Sequence, residues 1–140
     1  MSAYMMQLAK DLQALVAGAV AVEGAKAFEG EAPRDGGGVV LFDEMPFVVY
    51  TVSQHSPQDE SGVWTLDVFI DVWALNGWEN AYKVAAALDD LLDGTVHETA
   101  AGVLCCDRNG LVMQRADRDP TDERIRRMSG QYLIRFYPNN

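Results

Sequence analysis

Two carboxylates, Asp67 and Asp71, lie on one strand-like run, Val63 to Leu75, beside Phe69 and Trp73. Paired carboxylates can act as general acid and base, so their spacing decides whether they could work together. Four residues of extended strand span roughly 13 Å, too far for a retaining or a typical inverting pair. Cys105 and Cys106 are adjacent, so on a strand they point to opposite faces and are poorly placed to share a metal. The two histidines, His55 and His97, fall in unrelated segments. Gly36-Gly37-Gly38 could cradle a phosphate, but a P-loop continues into Gly-Lys-Ser/Thr at the head of a helix. Here Val39-Val40-Leu41-Phe42 follows, which is strand-like. Asp117 to Glu123 is rich in carboxylates but lacks the central glycine and the spacing of a calcium loop. No serine or cysteine has an evident base with a third group to orient it. The expectation is a protein without catalytic, cofactor-binding or metal-ligating residues, and not an enzyme.

The elements that hold these residues follow from hydrophobic period. In Val63–Leu75, Trp64, Leu66, Val68, Ile70, Val72 and Ala74 share one apolar face. Thr65, Asp67, Phe69, Asp71 and Trp73 share a mixed one. This predicts a long central strand. Asn76-Gly77 then turns the chain into a helix over Trp78–Leu92, with Asn76 as N-cap and Glu79 completing a capping box. Its stripe is Trp78, Ala81, Tyr82, Ala85, Leu88 and Leu92, and Gly94 suits the left-handed position past its end. An earlier helix is predicted over Ala3–Val22, capped by Ser2, with its stripe running from Tyr4 and Met5 through Leu8, Leu12, Leu15, Val16 and Ala19 to Val22.

Between these, Glu23–Gly38 reads as a mobile loop with a short strand around Ala25 to Phe28. Val39–Phe42 and Phe47–Ser53 read as strands, with Pro46 at a strand start or edge. Gln54–Gly62 reads as the turn of a long hairpin. Val103–Cys106 and Leu111–Ala116 flank Asn109-Gly110, which favours a tight hairpin turn, or else a bulge within one longer strand. Ser129–Tyr137 closes the chain as a strand. The fold class is α+β, a mainly antiparallel β-sheet packed by two α-helices, in a single domain over residues 1–140.

The chain has 21 acidic and 11 basic residues, a formal net charge of −10. That argues against a general nucleic-acid binder, which must neutralise phosphates. It suits a wall past which DNA moves without being held. No segment is long and apolar enough to cross a bilayer, and no secretion signal is evident, so a cytoplasmic product is expected.

The remaining signal concerns assembly. Phe69 and Trp73 on the mixed face, with Tyr50 and Tyr137 on nearby strands, form an aromatic surface that either a partner or the helices must cover. Strand edges near Phe47–Ser53 and Ser129–Tyr137 could accept a neighbour's backbone. Arg124, Arg126 and Arg127 could meet Asp89, Asp90 and Asp93 across such a junction.

The order of elements resembles a known family. The stretches that carry the likeness are Leu41-Phe42-Asp43-Glu44-Met45-Pro46-Phe47-Val48-Val49-Tyr50, Asp71-Val72-Trp73-Ala74 and Gly77-Trp78-Glu79-Asn80-Ala81. Leu91-Leu92-Asp93-Gly94, Gln114-Arg115, the turn Asp117 to Asp122 and Gly130-Gln131-Tyr132-Leu133-Ile134-Arg135-Phe136 continue it. Together they resemble the tail terminator, or tail completion, proteins of long-tailed bacteriophages. The resemblance implies an α+β subunit of a homo-hexameric ring in the neck of a virion, assembled in the host cytoplasm. Its implied partners are the tail tube protein and the head-side connector or head-completion protein. It would need no cofactor, and DNA would pass through its bore, with Asp67 and Asp71 as lumen-facing candidates. The alternatives are another neck component or tail-assembly factor, and a small α+β enzyme or ligand-binding domain.

Overall fold

The computed structural model describes residues 2–56, 62–115 and 124–139. The elements run α1 (Ser2–Ala21), β1 (Lys26–Glu29), β2 (Phe47–Ser56), β3 (Trp64–Leu75), α2 (Glu79–Leu92), β4 (Thr95–Glu98), β5 (Gly102–Arg108), β6 (Gln114–Arg115) and β7 (Ile125–Pro138). The sheet order is β1-β2-β3-β7-β5-β4, with β6 also on β7. Pairing is antiparallel except between β1 and β2, which are parallel.

β3 is central, as its alternation predicts. It pairs with β2 on one side and along its whole length with β7 on the other. Its apolar face is buried under both helices. Leu12, Val16 and Val20 reach down from α1, and Ala81, Val84, Ala85, Leu88 and Leu92 from α2. Alanines at 81 and 85 let α2 lie close to the strands. Each large aliphatic side chain buried here contributes about 1.5–3 kcal/mol.

Among the described residues the other face of the sheet carries no α-helix. At one end it is roofed by residues 28–45. There Phe47, Val49, Trp73 and Ile125 form a second core, packed by Phe28, Ala32, Val40 and Met45. Phe47 stacks on Trp73 at 5.5 Å, and Phe28 meets Phe47 edge-on at 5.8 Å. Lys26–Glu29 within the expected loop is a strand, and the apolar residues around it have a packing role.

Several local expectations are corrected. Val39–Phe42 is not a strand: one isolated bridge joins Arg34 to Val40, and a 3-10 turn follows at Phe42–Glu44. Asn76 is not the cap of α2. Its φ is 58°, and with Gly77 it makes the tight turn out of β3. Trp78 stands at the N-cap position and makes no side-chain capping bond. Asparagine tolerates that left-handed geometry better than most residues, which is why it serves the turn. Tyr82, placed on the buried stripe, is 46% exposed.

Asn109-Gly110 does not close a hairpin; the alternative, an interruption within one longer strand, is the one found. β5 and β6 both pair with β7, so they are two parts of one strand line broken by an excursion. The cause lies on the partner strand. A Cβ on Gly130 would stand 2.5 Å from Cγ of Met113, so glycine there leaves the hole that Met113 fills. β7 is therefore interior, and Ser129–Tyr137 is not a free edge. The pairing of β2 with β3 fits the long hairpin, whose tip at 57–61 lies outside the described residues. Most of the charged stretch Asp117–Arg127 lies outside them too. Among the described residues no helix is long and apolar enough to cross a membrane.

Candidate assembly surfaces

The register of the strands decides where each expected surface residue sits. Tyr50 pairs with Ile70, so it lies on the helix face. It is buried, and its hydroxyl donates to Gln13 Oε1 of α1 at 2.5 Å. Burial first, then the charge of Glu29, pushes its pKa up to about 12. Tyr50 is thus largely covered by its own chain. Trp73 is buried as well, under the roof of residues 28–45 and under Arg127, whose guanidinium lies 4.3 Å above its ring.

Phe69 and Tyr137 do remain on the helix-free face, 46% and 40% exposed. Asp67 stands beside Phe69 on that face and is half-buried. Asp71, further along β3, is engaged within the chain: Arg127 Nη2 approaches Oδ2 at 3.2 Å, and Ser129 Oγ donates to Oδ1.

The acidic residues of α2 are engaged too. Arg108 from β5 reaches Asp89 at 3.3 Å and Asp93 at 3.6 Å. The Tyr132 hydroxyl donates to Asp89 at 2.9 Å, and the Arg108 backbone N–H donates to Asp93. Burial, reinforced by that bond to Asp89, raises the Tyr132 pKa. Asp89 and Asp93 therefore pin α2 to the sheet, a role their exposed helical position did not reveal. Arg124 is exposed where the chain enters β7, and its carbonyl accepts the Asn76 N–H. Arg126 lies 6.0 Å from the Trp78 ring. The structure does not bring Arg124, Arg126 and Arg127 together with Asp89 and Asp93 in one chain; each set has its own surroundings.

Two features escaped the sequence. Arg115 stacks 4.3 Å above Trp78, and its Nε donates to the Tyr82 hydroxyl at 2.8 Å. The excursion between β5 and β6 also presents Leu111 and Val112, 75% and 51% exposed. The signal for the second was an apolar pair straight after Asn-Gly. Both cysteines are free, and Cys106 is buried, which pushes its thiol up to about 12. Among the described residues no group of three or more His, Cys, Asp or Glu is placed to hold a metal.

No protein-family model matches the chain, and no curated protein matches it. Solved structures do. A chain of the virion of a native gene transfer agent particle aligns with a TM-score of 0.57 at 22% identity, over 91% of this chain and 96% of that one. A second solved chain, whose name describes no activity, aligns with a TM-score of 0.60 at 14% identity, over 96% and 98%. Likeness at that identity is likeness of fold. The protein has an α+β fold, two helices on one face of a mostly antiparallel sheet, shared over nearly its whole length with a chain of a virion particle.

Proposed function

We propose that this chain is a structural virion protein, and that copies of it form a closed ring capping the tail tube of a long-tailed particle. The observation that carries the reading is the fold, shared over nearly its whole length with a chain of a virion. The resemblance of its sequence to tail terminators gives the finer role: a ring of six that ends tail growth and meets the head-side connector. The surfaces agree with assembly rather than catalysis. Phe69, Tyr137, Leu111 and Val112 expose apolar area on a small chain, and Asp71 and Asp89 are tied into ion pairs. In such a ring the surplus of negative charge would let DNA pass without holding it.

Deleting the gene from the genome that makes the particle tests this. Tails of irregular excess length, lacking heads, are expected in electron micrographs. Normal-length tails joined to heads would refute the reading. Normal-length tails without heads would move the role to another neck component.

A further inference from the structure

We infer that the ring contact is a knob in a hole: the Leu111–Val112 tip of one copy seats in an apolar pocket on the opposite flank of the next. The inference rests on the ring reading above and adds to it which surfaces meet.

The pocket lies between the first half of α1 and the β2–β3 hairpin. Met5, Leu8, Val52, Trp64 and Leu66 line a volume of about 190 Å³, with Glu29 on its border. It opens where β2 runs past the end of β1. β1 pairs only with Phe47–Tyr50, so among the described residues no strand flanks the outer side of Thr51–Ser56. An apolar pocket beside a bare strand edge can take both side chains and backbone from a partner.

The knob is built by the packing of Met113. Its side chain turns inward over Gly130, and this leaves Leu111 and Val112 projecting from the surface. Among the described residues neither belongs to a core cluster. Charge agrees at the border. Arg115, beside the tip, is exposed and held in place by Trp78 and Tyr82. Glu29, beside the pocket, is an exposed carboxylate that a neighbour's guanidinium can meet.

β3 and β7 separate the strand that carries the pocket from the strand line that carries the tip. The two surfaces are therefore different and lie on opposite flanks. A contact between them is heterologous, and it closes into a ring when the rotation per subunit matches. This selects a second copy as the occupant, since one chain supplies both halves. Burial of two aliphatic side chains tightens each contact by about a hundredfold or more.

Sedimentation velocity on the purified full chain tests it, using Leu111→Glu and Met5→Glu. Both positions are exposed, so both variants should melt like the wild type. The wild type should form rings, and each variant alone should be monomeric. An equimolar mixture should give dimers and nothing larger, because each pair retains one sound tip and one sound pocket. Combining Arg115→Glu with Glu29→Arg should restore assembly that either change alone weakens. Rings of wild-type mass in both single variants would overturn the contact while leaving the ring standing. A wild type that is monomeric at every concentration would remove the ring, and the contact with it.

Discussion

Replacing Arg127 should destabilise the subunit itself. Its guanidinium has two partners on the helix-free face, the Asp71 carboxylate at 3.2 Å and the Trp73 ring at 4.3 Å. The side chains of Arg127 and Asp71 are 30% and 36% exposed, so solvent screens the pair in part. An ion pair of that exposure contributes about 0.5–1.5 kcal/mol, and the stacking about 0.5–1 kcal/mol more. Arg127→Met keeps an apolar cover over Trp73 and should cost about 1–2 kcal/mol. Arg127→Glu sets like charges against each other and should cost about 2–3 kcal/mol. Asp71→Asn keeps a partner for Ser129 and should cost about 0.5–1 kcal/mol. A cycle of Arg127→Met and Asp71→Asn isolates the pair, with a coupling of about 0.5–1 kcal/mol that shrinks at high salt. Urea unfolding measures it, as a lower midpoint at unchanged slope. A coupling below about 0.3 kcal/mol would show that the two residues act independently and refute the reasoning. The result also bears on assembly. Reversing Arg126 and Arg127 together would weaken the monomer, so any loss of a ring in that variant could not be assigned to an interface.

Gly102→Ala should cost about 3 kcal/mol or more, since its φ is 158° and a Cβ would stand 2.1 Å from the Tyr137 carbonyl oxygen. A thermal melt unchanged from the wild type would refute that close approach of β5 to β7. Alkali should unfold the protein in a defined window. Tyr50, whose ordinary value is 10.0, is raised to about 12, so its stabilisation is complete below pH 10 and is lost as pH rises toward 12. Tyr132 is shifted the same way, and urea midpoints that stay level through that window would count against both.

What could be read from sequence was whatever depends on a local period. The alternation of Val63–Leu75 and the stripes of both helices sufficed for the fold class, because burial of a face is written in every second or every third and fourth residue. Facts that need a register or a partner strand were not legible. Tyr50 falls inside because it pairs with Ile70, and a slip of one residue would have put it outside. Trp73 was placed on the correct face, but its cover comes from Phe28, Ala32, Val40 and Met45, scattered through a glycine-rich segment with no period. Asn109-Gly110 carried a strong hairpin signal that Gly130, twenty residues later, overrides by making room for Met113. Asp89 and Asp93 looked like free helix-surface charges until the sheet brought Arg108 beneath them.

These internal pairings narrow what can drive assembly. Arg108, Arg127, Arg135, Lys26 and Lys83 each have a carboxylate partner within the subunit. Acidic residues outnumber basic ones by ten, so the charge left over on each copy is negative. Two copies approaching one another therefore repel overall, and salt screens that repulsion beyond about 8–10 Å. Attraction must come from short range. In the proposed ring the exposed apolar area at Leu111, Val112, Phe69 and Tyr137 would supply it, with Arg115 as a cation already fixed at the border of one such surface. In the proposed ring, negative charge would be left for the bore and apolar area for the joints between subunits. That division would let one small acidic chain hold to its own copies and still leave DNA free to pass.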